Sequence, residues 1–363
     1  MKIGVVGLPN VGKSTLFNAI TEAGAECANY PFCTIEPNVG VVAVPDERLA
    51  VLEKMYQSKR VVPAVIEFVD IAGLVKGASH GEGLGNKFLS HIRECDAIIE
   101  VVRCFDDENI INVSESVDPV RDADTINTEL MLADIESIEK RRARFEKVVK
   151  SGDKKAAEAL SILSRMTECI NNGKSLRSLK LDNEELSLVD GQFLLSVKPI
   201  IYCANISEND IGAASNKYVQ AITEYAKADG AAVIDICAKA ENEISQLPKD
   251  ERAEYLEALG LTKSGLERVI TSGYELLGLM SYLTAGEKEV RAWTIEKGTT
   301  APKAAGKIHS DFERGFIRAE IVSYDDLVSC GSVAAVKAAG KLRSEGKDYV
   351  MRDGDVVEFK FNV

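Results

Sequence analysis

Short apolar runs punctuate the first two hundred or so positions at intervals that suit a parallel sheet. Residues 3–6, 39–44, 65–69, 97–102, 199–204 and 232–236 are rich in Val, Ile and Ala with few polar interruptions, as strands covered on both faces require. Helical periodicity fills the intervals, from 14 to 22 and from about 84 to 94. Strand and helix in alternation predict an α/β fold, a parallel sheet between helical layers.

The alternation breaks between 126 and 170, where only helical spacing is found. Met131, Ile135, Ile138, Arg142, Phe145 and Val149 recur at intervals of four and three, a heptad-like seam with one arginine in it. Ser151-Gly152-Asp153 interrupts the pattern, and Ala156, Leu160, Leu163, Met166 and Ile170 mark a second helix. A Gly-containing turn between two such helices predicts an antiparallel hairpin. The sheet pattern resumes near Pro199, so the hairpin is an insertion. Beyond a helix ending near Leu277, strands are predicted at 279–283, 291–295, 316–321, 349–351 and 356–361, with helices at 301–308 and 333–339. That is a mixed α+β module. The predicted domains are therefore 1–125 with 197–277, an inserted 126–196, and 278–363.

Composition narrows the class. The chain has 363 residues, enough for two or three domains at roughly 150 residues each. With 45% hydrophobic and 28% charged residues it is too apolar for disorder. No run approaches the roughly 18 apolar residues of a membrane span; the richest, 97–102, is short and carries Glu100. The apolar run before Pro9 is too short for a signal peptide. The eight cysteines include no C-x-x-C pair, and several lie in apolar runs, which predicts buried reduced thiols. A cytoplasmic protein without membrane contact is expected. The net charge of −13 disfavours indiscriminate nucleic-acid binding, DNA included. Locally, however, Lys140, Arg141, Arg142, Arg144, Lys147 and Lys150 crowd one stretch, with Lys154 and Lys155 close behind.

The chemistry begins at Gly7-Leu8-Pro9-Asn10-Val11-Gly12-Lys13-Ser14, which fits G-x-x-x-x-G-K-[ST] between a predicted strand and a predicted helix. Its glycines let successive N–H groups turn inward around a phosphate, and the helix start adds its positive dipole end. Asn10, Val11, Gly12, Lys13, Ser14 and Thr15 are the expected phosphate cradle. Lys13 reaches the β- and γ-phosphates, and the Ser14 hydroxyl binds Mg²⁺. Asp70-Ile71-Ala72-Gly73 closes an apolar strand, so Asp70 can hold Mg²⁺ through water and the Gly73 N–H can meet the γ-phosphate. Thr34, in a Pro-containing loop, is the candidate second hydroxyl on the metal, or an ordinary loop threonine.

Base recognition departs from the common pattern. Guanine-specific P-loop proteins carry N-K-x-D after the fifth strand, the aspartate accepting two guanine N–H groups. Asn205-Ile206-Ser207-Glu208 stands there instead, with Ile206 in place of the lysine and an acid one methylene longer. A site not built for both guanine donors forfeits the discrimination that paired buried hydrogen bonds supply. ATP is the expected nucleotide, although a shifted Glu208 can in principle still read guanine. Cys237-Ala238-Lys239 is expected to complete the pocket through backbone contacts, Ala238 among them.

Hydrolysis raises its own question. Ras-like enzymes orient the attacking water with a glutamine just after D-x-x-G; Leu74 stands here, so intrinsic turnover is expected to be slow. Asn10 has two readings: support for a K⁺ ion beside the phosphates, which would stabilise developing charge, or simple bracing of the loop. His80, within Ser79-His80-Gly81-Glu82-Gly83, is a general base if closure brings it inward, or an exposed loop histidine. The basic stretch is an RNA-contacting face or a solvated one.

From end to end the chain resembles the YchF/Obg-like ATPase family, a branch of the Obg-related P-loop GTPases. The P-loop, Tyr30-Pro31-Phe32-Cys33-Thr34-Ile35-Glu36-Pro37-Asn38, Asp70-Ile71-Ala72-Gly73-Leu74-Val75-Lys76-Gly77-Ala78 and the N-x-x-E variant carry the resemblance. The last module, with Gly306-Lys307-Ile308-His309-Ser310-Asp311-Phe312, resembles a TGS domain of β-grasp fold. The resemblance implies a slow, Mg²⁺-dependent ATPase that turns ATP into ADP. It also implies ribosome binding, to the 50S subunit and the 70S particle, with rRNA met by the basic hairpin and translation or stress response regulated. A GTPase translation factor and a nucleotide-gated scaffold with incidental hydrolysis are the competing readings.

Overall fold

A computed structural model describes residues 1–24, 38–71, 84–107, 110, 116–213 and 215–362. They fall into two compact units, one built chiefly from Met1–Glu26 and Glu67–Val269, the other from Val41–Ile66 and Ile270–Val363.

A six-stranded sheet, most of it within the first unit, runs in the order Val39–Ala43, Val65–Asp70, Lys2–Val6, Ala97–Arg103, Ile200–Asn205, Ala232–Ile236. From Val65–Asp70 onward each neighbour is parallel, in registers such as Val5↔Asp70, Val6↔Glu100 and Asn205↔Ile236. All six predicted strands are present. Two interior ones, Ala97–Arg103 and Ile200–Asn205, are buried at every position, which is why they read as continuous apolar runs. The parallel arrangement brings Val6, Asp70 and Asn205 to the carboxyl edge, where open α/β sheets place their ligands.

The helical hairpin is a pair, Pro119–Val149 and Lys154–Asn171. The first helix starts seven residues before the periodicity at 126, because its cap is local chemistry: Asp118 accepts from the Arg121 N–H at 3.0 Å and Pro119 fills the first turn. Gly152 takes φ +85° in the connection, and Asp153 caps the second helix through the N–H groups of Lys155 and Ala156. Met131, Ile138, Ala159, Leu163, Met166 and Ile170 form one core cluster with Leu176, Val189 and Leu194. Leu160, expected in the seam, is only half-buried, and Ala159 takes the inner place. At the hairpin base Asp134 is buried and accepts from the backbone of Leu195 and Ser196, each at 2.8 Å, and from the Ser196 hydroxyl at 2.6 Å.

The second unit holds another six-stranded sheet, ordered Arg343–Glu345, Phe316–Ser323, Asp355–Phe361, Leu279–Ala285, Val290–Glu296, Val61–Val62. Leu279–Ala285 and Val290–Glu296 form an antiparallel hairpin, and Asp355–Phe361 lies parallel beside the first of them. Helix Ala301–Ile308 packs Ala301, Ala304 and Ala305 against Tyr282, Ile321 and Phe359. This is the order of a β-grasp. Residues 349–351 make only an isolated bridge to Thr300 rather than a strand. Their backbone groups instead serve the turn before the helix, Ala301 N–H to Tyr349 O at 2.8 Å and Met351 N–H to Thr299 O at 2.9 Å. Val41–Ile66, placed with the nucleotide domain by sequence, group with this unit: Val61–Val62 extend its sheet beside Val290–Glu296, and helix Glu47–Tyr56 packs on Leu279–Ala285 and Val290–Glu296.

Cys95, Cys104, Cys169, Cys203 and Cys237 are buried free thiols and Cys330 is half-buried; Cys27 and Cys33 lie outside the described residues. Among the described residues no helix is long and apolar enough to cross a membrane.

Candidate functional site

Strand Lys2–Val6 delivers the chain into residues 7–14, and helix Lys13–Gly24 leaves it. Two backbone positions make that turn possible. Gly12 sits at φ +95°, and a Cβ there would collide with the Asn205 amide. A Cβ on Gly7 would lie 2.8 Å from the Val101 carbonyl. Asn10 also adopts a positive φ, 64°, a region that asparagine tolerates better than most residues. The Leu16 N–H closes the first helical turn onto the Gly12 carbonyl at 3.0 Å, which leaves Lys13, Ser14 and Thr15 in that turn. Ser14 is exposed, while Gly12, Lys13 and Thr15 are half-buried and Val11 is buried.

Asp70 ends its strand beside Val5, and its carboxylate is ion-paired with the Lys13 ammonium. The Asp70 N–H is held by the Asn38 carbonyl at 2.9 Å. One ammonium, one carboxylate and one exposed hydroxyl thus share the mouth of a turn at a helix N-terminus. Lys13, a point charge with three donors, suits phosphate oxygens. The hydroxyl and carboxylate are hard oxygen donors that suit Mg²⁺, which keeps several of its waters.

Asn205 is 5% exposed and joins two parts of the site. Its Nδ2 donates to the Val11 carbonyl at 2.9 Å, and its Oδ1 accepts from the Ala238 N–H at 3.0 Å. The side chain therefore ties the phosphate loop to the start of helix Ala238–Gln246, which packs beside helix Lys13–Gly24. Ile206 turns inward and joins the core cluster at 5% exposure. Glu208 lies outside, exposed, with its Oε2 accepting from the Lys239 ammonium at 2.7 Å. The sequence predicts a backbone role for Lys239 here; its side-chain bond to Glu208 has no local signal, since 31 positions separate the two.

Thr34, Gly73, Leu74 and His80 lie outside the described residues. The basic stretch divides. Arg141 is drawn inward to the Asp190 carbonyl at 3.2 Å, and burial pulls its guanidinium below the ordinary arginine range. Arg142 lies 3.9 Å from Glu146, and Arg144 stacks on Phe145 with its guanidinium 3.8 Å from Asp190. Lys140, Arg144, Lys147 and Lys150 are exposed. Their spacing of four, three and three puts them along one side of the helix.

A second polar cluster went unread in the sequence. Glu100 is fully buried in the sheet, and among the described residues neither carboxylate oxygen has a hydrogen-bond partner. Burial pushes it well above the usual carboxylate range, partly opposed by Arg177. Nearby Asn127 donates to the hydroxyls of Tyr202 at 2.7 Å and Tyr225 at 3.2 Å, and Arg177 holds Asp229 at 3.0 Å.

Known proteins extend these features. A family model described as "50S ribosome-binding GTPase" matches residues 2–134. The YchF-GTPase C-terminal model, described as "Protein of unknown function (DUF933)", matches residues 279–362. The chain is 57% identical over 361 residues to the ribosome-binding ATPase YchF of Bacillus subtilis, covering 99% of each chain. It is 54% identical to the protein of that name from Pasteurella multocida, covering 100% of this chain and 99% of the other. The solved structure of the Schizosaccharomyces pombe YchF GTPase superposes with a TM-score of 0.89 at 42% identity, over 99% of this chain and 97% of that one.

Proposed function

Because the chain belongs to the YchF family, we propose that it is a Mg²⁺-dependent ATPase that binds the ribosome and reports its nucleotide state there. The observation that carries this reading is the corner where Lys13, Asp70 and Ser14 meet under a glycine-built turn. Bound Mg²⁺ would neutralise charge on the β- and γ-phosphates. Ser14 and Thr34 would supply its hydroxyl ligands, and Asp70 would hold one of its waters. Lys13 would orient the phosphates, and the Gly73 N–H would sense the third. Leu74 has no group to align water, so turnover is slow. K⁺ held near Asn10 and a base at His80 are the two routes by which this chain would raise it.

The names of similar proteins divide between ATPase and GTPase. The base site favours ATP: Ile206 is withdrawn into the core and Glu208 is engaged by Lys239. Ribosome binding rests on the names of the bacterial relatives. Contact with rRNA of the 50S subunit, free or within 70S, is assigned to the exposed cations of the helical hairpin. The cytoplasm is the matching location, and regulation of translation or of a stress response is the matching role.

Equilibrium competition between ATP and GTP with Mg²⁺ tests the nucleotide. Tighter ATP binding, abolished by Lys13→Ala, is expected. Equal or tighter GTP binding would make the chain a GTPase translation factor instead. Turnover that stays negligible with K⁺ and ribosomes present would leave a nucleotide-gated scaffold.

A further inference from the structure

Resting on nucleotide binding at the phosphate loop, as read above, we propose that Glu100 and Arg177 are the two halves of a latch. It closes when the loop fills, and ties the base of the helical hairpin to the nucleotide sheet. Among the described residues five buried side-chain nitrogen or oxygen atoms have no hydrogen-bond partner, and four of them belong to this pair. They are both carboxylate oxygens of Glu100, and Nε and Nη2 of Arg177. Glu100 is fully buried and the Arg177 side chain is 6% exposed. Nε–H and Nη2–H make one edge of the guanidinium, two parallel donors that match the two oxygens of a carboxylate.

The surrounding bonds put both edges in one cluster. Glu100 is the register partner of Tyr202, and paired residues of parallel strands share a face of the sheet. The Tyr202 hydroxyl accepts from Asn127 Nδ2 at 2.7 Å, and Asn127 Oδ1 accepts from Arg177 Nη1 at 3.2 Å. Of the charged groups around Glu100, which include Asp122 and Asp229, Arg177 acts on its carboxyl most strongly. Arg177 belongs to the hairpin base: it follows helix Lys154–Asn171, and its partner Asn127 lies on helix Pro119–Val149. Glu100 belongs to the phosphate loop. It is the register partner of Val6, the residue before Gly7, and the carbonyl of the next residue, Val101, leaves no room for a Cβ on Gly7. A phosphate that takes Lys13 from Asp70 therefore loads the turn that strand Ala97–Arg103 supports. Burial favours the open, protonated carboxyl, and a bidentate pair favours the closed, ionised one. On closing, the carboxyl releases its proton to solvent and its oxygens accept from Nε–H and Nη2–H, while Nη1 keeps Asp229.

Glu100 and Arg177 are thus positioning residues. Their test is the Kd for an ATP analogue that resists hydrolysis, with infrared difference spectra of its binding. The proteins compared are the wild type, Glu100→Gln, Arg177→Lys, the double variant and Tyr225→Phe. Glu100→Gln and Arg177→Lys are each expected to weaken binding about fivefold, the low end of coupling between sites. The double variant is expected to bind no more weakly than either, because each removes the same pair. Tyr225→Phe trims the cluster without touching either edge and is expected to stay within about twofold of the wild type. In the spectra, a carboxyl stretch that is missing from Glu100→Gln is expected to disappear as the wild type binds the analogue. If Arg177→Lys fails to fold, these spectra decide alone. A carboxyl band unchanged by binding overturns the latch, since water then fills the gap in both states. Single-variant losses that add in the double overturn it too. A wild type that binds no nucleotide overturns the reading of the phosphate loop instead, which separates the two failures.

Discussion

Asn205 is the residue on which most of the site turns, since one amide holds the phosphate loop by its nitrogen and the base loop by its oxygen. Asn205→Ala leaves the Val11 carbonyl and the Ala238 N–H unpaired in a buried place, at about 2–4 kcal/mol. Chemical denaturation is expected to show that loss, together with at least about tenfold weaker nucleotide binding. The motif around Asn205 was legible, because its spacing is local. Its two bonds were not, because one partner lies 194 positions away. Glu100 shows the same limit: an acid in an apolar run was visible, but nothing local reveals that neither oxygen is paired among the described residues. In the unfolded chain its carboxyl ionises near 4.5, and in the fold burial raises it well above that. The folded state therefore holds the proton more tightly. The stability linked to that proton is complete below about pH 4.5 and is lost as pH rises toward the folded value. Glu100→Gln is expected to gain stability relative to the wild type as pH rises above about 4.5, read from urea midpoints. A constant difference would mean that Glu100 ionises freely in the fold.

At the scale of elements, strands and helices with strong apolar periodicity were readable, and places where capping or pairing decides were not. The start of helix Pro119–Val149 depends on Asp118 and Pro119 rather than on the seam. The stretch 349–351 has strand-like residues, but its hydrogen bonds go to the turn before helix Ala301–Ile308. The hairpin is anchored at its base by Asp134, whose carboxylate serves two backbone N–H groups and a hydroxyl. Asp134→Ala is expected to destabilise the chain by about 2–4 kcal/mol. Lys147→Ala at the exposed end of the same helix is expected to change stability by less than about 0.5 kcal/mol. Farther out, Lys140, Arg144 and Lys147 give a compact test of RNA contact. Reversing all three to glutamate is expected to lower the slope of log ribosome affinity against log salt by about three. An unchanged slope would return this face to the role of a solvated helix surface.

Across the whole molecule, the order of elements predicted the two kinds of sheet but not how the chain is shared between units. Val41–Ile66 leave the nucleotide-type unit, their helix Glu47–Tyr56 packed on Val290–Glu296 and their two-residue strand, Val61–Val62, paired with the same element. So short a strand has no periodicity to read, and its pairing spans more than two hundred positions of sequence. The functional claim also lives at this scale, since a nucleotide corner in one place must be read by a partner through the molecule's surface. Sedimentation with purified ribosomes in Mg²⁺, comparing a non-hydrolysable ATP analogue, ADP and a GTP analogue, addresses it most directly. Ribosome-bound protein is expected to differ several-fold between the ATP analogue and ADP, the GTP analogue having little effect. The same bound fraction in all three would contradict an ATP-operated, ribosome-read switch.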